Sequence, residues 1–343
     1  MIIKSIKLNN FRCHESYLLE FKKKTSAILG ENGSGKTSVL EAVYEALRGK
    51  SFRTTDPEIL KRGTKYYRVE LLFSDGEKTV VTFSDDGVSG VKKQFLVGGK
   101  KYARLPKKYK YPVVLFLPDD LHLIGSSPTR KREFFDRILG EFDDGYSTLL
   151  NRYEKALKQR NDLLKNYTEM DFEEVSSVIF SWNLLLSKYG VEIRKLRKKL
   201  VAEINERLTS TYRSIAENSD EVEVLYELCG DEDVSEDQYL RRLESDLKRD
   251  LIIGHTSFGV HRDNYNFRFN GKMADGSASR GEVRSIILAM KFIEAEMIYE
   301  KVGKRPVVLL DDVFSELDEM RQKSLTKNFK DNQIIITSVD GLD

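Results

Sequence analysis

The segment from Gly30 to Thr37 has the spacing of a phosphate-binding loop, which is a glycine, four residues, and then glycine, lysine and threonine. Gly33 and Gly35 would let backbone N–H groups point inward at a phosphate. Lys36 is expected to contact the β- and γ-phosphates of ATP, and the Thr37 hydroxyl is expected to hold Mg²⁺. The predicted nucleotide-binding residues here are Gly30, Glu31, Asn32, Gly33, Ser34, Gly35, Lys36 and Thr37.

Asp311 and Asp312 are the second feature that could do chemistry. They follow the short apolar run 306–310, which predicts a strand buried on both faces. Asp311 is the expected Mg²⁺ partner, and Asp312 is expected to orient or deprotonate an attacking water. Lys36 and Asp312 are therefore predicted catalytic residues. The alternative is that the two carboxylates open a turn or cap the following helix.

A third feature is the pair Ser279 and Gly281 at the start of an amphipathic helix. A serine hydroxyl, bare glycine backbone and a helix N-terminus together make an anion site. The alternative is an ordinary N-capped helix. One apolar face supports the helix itself, and its members are Ile286, Ile287, Met290, Ile293 and Met297.

These residues need strands and helices to position them. Residues 25–30 predict a buried strand, and residues 36–50 predict a helix that ends at Gly49. Glycine-containing pairs predict hairpin turns at 75–76, 86–87 and 98–99. From about residue 146 to residue 211 the chain consists mostly of helix formers, which predicts packed helices rather than a long coiled coil.

Composition limits the classes of protein to consider. The chain has 343 residues, of which 40% are hydrophobic and 33% charged, and it carries a net charge of +2. No apolar run approaches the length that spans a bilayer, and no secretory leader is visible, so a cytoplasmic protein is expected. Cys13 and Cys229 are far apart and are predicted to be buried free thiols. Any contact with a polyanion must come from local basic patches.

The order of the motifs resembles the RecF family, which belongs to the SMC-like group of ATP-binding-cassette (ABC) ATPases. The segments that carry the resemblance are "GENGSGKTSVLEAV", "SFRT", "FLPDDLHLIGSSPTRKREFFD", "GVHRDN", "SRGEVR" and "LLDDVFSELD". Val260 and Asn264 depart from the family's usual residues in "GVHRDN". Thr337 lies where many cassette ATPases have a switch histidine, and no glutamine is present near Pro118, where they have a Q-loop.

The resemblance implies an α/β fold with an ABC-type P-loop ATPase core formed by both chain ends. Residues 1–118 and 252–343 are predicted to form this core, and residues 119–251 an inserted, mainly helical lobe. Asn10 and Arg12 are expected to flank the nucleotide. Ser279 and Gly281 are expected to close over ATP bound by a second chain, which gives Ser279 a catalytic role.

The implied function is that of an ATP-dependent DNA-binding protein of recombinational repair and replication-fork restart. ATP binding would drive homodimerisation and DNA clamping, and slow DNA-dependent hydrolysis to ADP and phosphate would release the DNA. RecR and RecO are the protein partners that the family implies. Two alternatives are a nucleotide-gated DNA-binding module with negligible turnover and another compact SMC-like ATPase.

Three basic clusters are candidates for DNA contact, and each could instead be a solvated face. The first contains Lys100, Lys101, Arg104, Lys107, Lys108 and Lys110. The second contains Arg130, Lys131 and Arg132, and the third contains Arg194, Lys195, Arg197, Lys198 and Lys199. Arg53 resembles an arginine that links DNA to ATP turnover, or it is a solvated loop residue. No base-reading motif is visible, so contact with the backbone of single-stranded, gapped or junction DNA is expected.

Overall fold

The computed structural model describes residues 2–85, 87, 90–167, 171–230 and 234–339. The chain divides into two compact units: unit 1 is Met1–Leu121 with Lys291–Asp343, and unit 2 is His122–Met290. Unit 1 contains both ends of the chain, and its first segment ends close to the predicted boundary at residue 118. The second unit boundary lies between Met290 and Lys291, so residues 252–290, which the prediction groups with the C-terminal segment, are in compact unit 2.

A four-stranded parallel sheet organises unit 1. Its strand order is β3 (Thr25–Leu29), β13 (Ile334–Ser338), β12 (Val307–Asp311) and β8 (Val113–Phe116). Every residue of β8, β12 and β13 is buried, as their β-branched and leucine-rich sequences predict for strands covered on both faces. The register aligns Ile28, Thr337 and Asp311, so the phosphate-binding loop and the carboxylates emerge at one edge of the sheet.

A six-stranded antiparallel sheet is the second layer of unit 1. Its strand order is β2 (His14–Glu20), β1 (Ile3–Phe11), β4 (Tyr66–Phe73), β5 (Lys78–Asp85), β6 (Val91–Val97) and β7 (Lys100–Tyr102). The turns predicted at 75–76 and 98–99 join β4 to β5 and β6 to β7. Asp86, in the remaining predicted turn, lies outside the described residues.

The helices of unit 1 connect these sheets. Helix α1 (Lys36–Arg48) follows the phosphate-binding loop and ends at Gly49, as predicted. The others are α2 (Asp56–Ile59), α10 (Glu319–Asn328) and the C-terminal half of α9 (Arg280–Val302), which runs from unit 2 into unit 1. The apolar face of α1 packs into a core formed by residues such as Val43, Leu47, Val69 and Phe83.

Unit 2 is mainly helical and contains one small sheet. Its elements are α3 (Pro128–Phe142), α4 (Asp144–Asn166), α5 (Phe172–Ala216), β9 (Val222–Glu227), α6 (Glu236–Ser245), α7 (Leu247–Ile253), β10 (Asn264–Phe269), β11 (Lys272–Met273) and α8 (Ala274–Ser277). Helix α5 has 45 residues and packs along α4, α6 and β9. Among the described residues, no helix combines the length and hydropathy needed to span a membrane.

Hydrogen bonds and ion pairs explain why residues 252–290 belong to unit 2. Strand β10 pairs with β9 along six residues. Asp263, just before β10, is fully buried and accepts hydrogen bonds from Arg194 on α5 at 2.8 and 3.1 Å. These polar partners are distant in sequence, so motif order alone could not place the boundary.

Candidate nucleotide-binding site

A cavity of about 500 Å³ lies at the phosphate-binding loop. Its lining belongs entirely to unit 1 and comprises Arg12, Cys13, Asn32, Gly33, Gly35, Lys36, Thr37, Ser38, Arg53, Leu60 and Asp312. Three cationic side chains and one carboxylate are among these residues. This excess of positive charge suits a polyanionic ligand.

The backbone of the loop requires glycine at two positions. Gly33 and Gly35 have φ values of +85° and +93°, in the left-handed region that favours glycine. A Cβ atom on Gly35 would lie 2.4 Å from Cys13 Sγ and 2.5 Å from His14 Nε2. Helix α1 begins at the next residue, so the positive end of its dipole lies at the loop, where it favours an anion.

The ammonium group of Lys36 is held within the loop itself. Its Nζ atom donates to the carbonyl oxygens of Gly30, at 2.8 Å, and Glu31, at 3.1 Å. The side chain is only 5% exposed, and Nζ lies 3.9 Å from an oxygen of Asp312. Lys36 is thus fixed between the loop and the end of β12, where it can meet phosphate oxygens.

Thr37 and Asp311 place two side-chain oxygens next to each other beside the loop. The Thr37 hydroxyl donates to Asp311 Oδ1 at 2.8 Å. Burial raises the pKa of Asp311, and the hydrogen bonds from Thr37 and Thr337 and the charge of Arg53 oppose that shift. A hydroxyl and a carboxylate are the hard oxygen donors that Mg²⁺ prefers, so this pair fits the predicted metal site.

Asp312 has an unusual backbone conformation, with φ at +52°. Its N–H group donates to Thr337 Oγ1 at 2.9 Å, and the same hydroxyl donates to Asp311 Oδ1 at 3.0 Å. One buried hydroxyl therefore holds the Asp311 carboxylate and the backbone of Asp312. In the sequence, Thr337 stands out only because a histidine is missing there. A polar residue near the end of an otherwise apolar strand is the signal that could have identified its role.

Arg12 and Arg53 line the cavity, whereas Asn10 is not among its lining residues. Asn10 and Arg12 both have left-handed backbones, with φ values of 53° and 56°. The Asn10 carbonyl accepts from the Lys61 N–H, and the Arg12 N–H donates to the Ile59 carbonyl. Asn10 therefore helps to shape the segment that carries Arg12.

Ser279 and Gly281 lie in unit 2, at the start of α9. Ser279 Oγ accepts from the Glu282 N–H at 3.3 Å, and the Glu282 carboxylate accepts from the Ser279 N–H at 2.6 Å. This reciprocal pair is a capping box. Ser279 is exposed, so its hydroxyl lies on the surface of unit 2.

The three basic clusters differ in exposure. All cationic side chains of the first cluster are exposed or half-buried. In the second cluster, Lys131 is buried and its Nζ donates to Asn266 Oδ1 at 3.0 Å. In the third cluster, Arg194 and Arg197 are each only 2% exposed and form ion pairs with Asp263 and Asp136. Only the three lysines of that cluster remain accessible.

The prediction for the cysteines was wrong for Cys13, which is exposed beside the loop. Cys229 is half-buried, and both thiols are free. The wrong prediction came from treating cysteine as a core residue by default, although Cys13 follows the β1 segment that approaches Gly35.

Comparison with known proteins identifies the family. Residues 2–341 match the family model described as RecF/RecN/SMC N terminal domain. A curated relative from Clostridium kluyveri, "DNA replication and repair protein RecF", is 34% identical, and the match covers 100% of this chain and 94% of the relative. A protein of the same description from Ruminiclostridium cellulolyticum is 31% identical, and the match covers 98% of this chain and 92% of the relative.

A solved structure shows the same architecture. "Structure of the recombination mediator protein RecF-ATP in RecFOR pathway" matches with a TM-score of 0.84 and 29% identity, and the match covers 100% of this chain and 93% of that chain. The predicted fold class, an ABC-type ATPase core built from both chain ends, is confirmed. The chain therefore belongs to the RecF/RecN/SMC N-terminal domain family and, within it, to the RecF family.

Proposed function

We propose that this chain is an ATP-binding, DNA-binding protein of DNA replication and recombinational repair. The observation that carries the proposal is the cavity at the phosphate-binding loop, which Lys36, Arg12, Arg53 and Asp312 line. The solved relative described as RecF-ATP supports ATP as the ligand. The curated relatives named for DNA replication and repair support the cellular role.

Thr37 and Asp311 are the residues that would hold Mg²⁺. The Thr37 hydroxyl oxygen and Asp311 Oδ1 lie 2.8 Å apart, which supports this assignment. When bound, the metal neutralises negative charge on the phosphates. Lys36 supplies a second positive charge at the same edge of the sheet.

The proposed reaction is slow, DNA-dependent hydrolysis of ATP to ADP and phosphate. Asp312 is the candidate base, because its carboxylate lines the cavity beside Lys36 and its backbone is held by Thr337. Asp311, the residue before Asp312, is assigned to the metal that neutralises the phosphate charge. Asp312 is assigned to activation of the water.

Two chains would share each nucleotide. Unit 1 carries the phosphate-binding loop, and unit 2 carries the exposed, serine-capped start of α9. We infer that Ser279 and Gly281 of one chain close over ATP held by another, so that ATP drives dimerisation and clamping on DNA. The "RecFOR pathway" of the solved relative supports RecR and RecO as partners.

Phosphate release measured with and without DNA tests the proposal. The Lys36→Arg variant should retain much of its ATP affinity but lose most of its turnover, because a planar guanidinium cannot replace the compact ammonium. Turnover that Lys36→Arg leaves intact would contradict the assigned site. ATP binding with no measurable phosphate release in the wild-type chain would instead favour the nucleotide-gated binding module.

A further inference from the structure

The carboxylate of Glu41 is fully buried on α1, little more than one turn after Lys36. It accepts two hydrogen bonds from Arg12, one from Nε at 2.9 Å and one from Nη2 at 2.8 Å. Such a bidentate ion pair fixes the plane of the guanidinium as well as its position. Glu41 therefore determines how Arg12 is presented at the cavity.

The same carboxylate holds the loop that carries Arg53. Ser51 Oγ donates to Glu41 Oε1 at 2.6 Å. Ser51 Oγ in turn accepts from the N–H groups of Arg53, at 2.9 Å, and Thr54, at 3.3 Å. The backbone of Arg53 is thus connected through one hydroxyl to the buried carboxylate.

The far end of this loop closes the network. Arg12 Nη1 donates to the Glu58 carbonyl at 2.9 Å, and the Arg12 N–H donates to the Ile59 carbonyl at 2.8 Å. The left-handed backbone at Arg12 is a conformation that persists only when its surroundings impose it. Glu41 and the loop 51–60 together provide those surroundings.

We propose that Glu41 is a positioning residue, which sets Arg12 and Arg53 at the cavity for the phosphate oxygens of a nucleoside triphosphate. The inference rests on the proposed function. Because Glu41 belongs to the helix that begins at the phosphate-binding loop, the two arginines and the loop share one rigid support. Glu41 itself need not touch the nucleotide.

Glu41→Gln tests this role with little change of shape. An amide nitrogen would face a guanidinium N–H at one of the two contacts, so the bidentate pair with Arg12 is lost. We expect the dissociation constant for Mg²⁺–ATP, measured by isothermal titration calorimetry, to rise about ten-fold. Thermal unfolding of the same samples reports any loss of folded protein.

Glu45→Gln is the matched control. Glu45 is equally buried on the same helix, but it binds Tyr67 at 2.5 Å and Lys93 at 2.7 Å rather than the arginines at the cavity. We expect this variant to lose thermal stability and to keep its ATP affinity within about two-fold. Equal losses of affinity in the two variants would reduce Glu41 to a structural residue and overturn the inference.

A double-mutant cycle separates positioning from folding. In the Arg12→Ala/Arg53→Ala background, Glu41→Gln has no arginine left to position, so it should change the dissociation constant by less than about two-fold. A ten-fold effect that persists in this background would overturn the inference while leaving the proposed function intact. Failure of the wild-type chain to bind Mg²⁺–ATP would refute the proposed function itself.

Discussion

At the residue scale, Thr337 holds both the Asp311 carboxylate, which ends β12, and the backbone of Asp312 after it. Thr337→Val keeps the shape of the side chain but leaves the Asp312 N–H without its acceptor and Asp311 without one donor. We expect kcat for ATP hydrolysis to fall about 10- to 100-fold, a loss typical of residues that orient metal ligands. ATP affinity should change less, because Lys36 and the loop backbone are untouched.

Thr337→Ser is the control for that experiment, because it restores the hydroxyl without the methyl group. Its kcat should lie within about three-fold of the wild-type value, if the hydroxyl is what positions the Asp311 carboxylate and the Asp312 backbone. If the valine and serine variants lost turnover equally, the hydroxyl would have no special role. Steady-state phosphate release and ATP titration on the same preparations give both quantities.

His261 should make the stability of the fold depend on pH. Burial lowers the pKa of His261 to about 4, from an ordinary value of 6.5. Nε2 lies 3.1 Å from the Thr256 carbonyl and must carry the hydrogen, so Nδ1 accepts from the Tyr153 hydroxyl at 2.8 Å. The neutral ring therefore has both nitrogens satisfied.

The sign of this effect follows from proton uptake. Between pH 6.5 and pH 4 the unfolded chain binds a proton at His261 that the folded chain excludes, so stability falls as the pH falls. The contribution is about 3 kcal/mol over that window. Urea unfolding across this range should show a shallower pH dependence for His261→Gln than for the wild type. Parallel curves for wild type and His261→Gln would contradict the assignment.

At the element scale, the sequence predicts a strand or helix correctly where the residues that define it lie within one continuous segment. The strand, loop and helix from Thr25 to Gly49 were predictable because the glycines, the lysine and the apolar stripe lie within one segment. The roles of Glu41 and Thr337 were not, because their partners lie on other elements. Arg160 shows the same limit: it is a charged residue within the predicted helical region, yet it is fully buried and pairs with Asp250 at 2.7 Å.

The start of α9 provides a prediction about an element. Ser279→Arg would place a large cation on the exposed N-terminus that we assign to a second chain's nucleotide. We expect ATP-dependent dimers to disappear in sedimentation velocity runs, while ATP binding by the monomer is retained. The physical reason is that the arginine fills the surface that must approach the partner, and its effect on the helix is limited to a lost cap, about 1 kcal/mol.

Ser235→Arg is the matched control, because Ser235 caps α6 in the same unit through a capping box with Gln238. It removes an equivalent cap and adds the same charge at an exposed position. This variant should dimerise with ATP as the wild type does. Normal dimerisation of Ser279→Arg, or equal loss in both variants, would contradict the shared-nucleotide proposal.

At the scale of the whole molecule, the division of the chain was only partly predictable. Both ends lie in unit 1, as the order of strand, loop and carboxylate motifs implied. Unit 2 extends to Met290 rather than ending near residue 251, because β10 pairs with β9 and Asp263 forms an ion pair with Arg194. The same packing removed Arg194 and Arg197 from the surface, although a run of five basic residues in seven suggested a solvated or DNA-binding face.

This difference in burial predicts which basic cluster binds DNA. The first cluster keeps its six cations exposed or half-buried around β7 and the following turn. We expect Lys100→Ala/Lys101→Ala to weaken DNA binding and to lower the slope of log Kobs against log salt by about 2, since each lost phosphate contact with duplex removes about 0.9. Fluorescence anisotropy with a labelled duplex at several salt concentrations measures both.

Lys195→Ala/Lys199→Ala is the control, because it removes the same number of charges from exposed positions on α5. It distinguishes direct contact with DNA phosphates from the effect of the protein's net charge. Bulk electrostatics would weaken binding equally in the two double variants, because each lowers the net charge by the same amount. Direct phosphate contact by the first cluster predicts that only the Lys100/Lys101 pair changes the salt slope. If the Lys195/Lys199 pair changed the salt slope more than the Lys100/Lys101 pair, the DNA-binding surface would lie on unit 2 instead. That result would also separate DNA contact from the unit that holds the phosphate-binding loop.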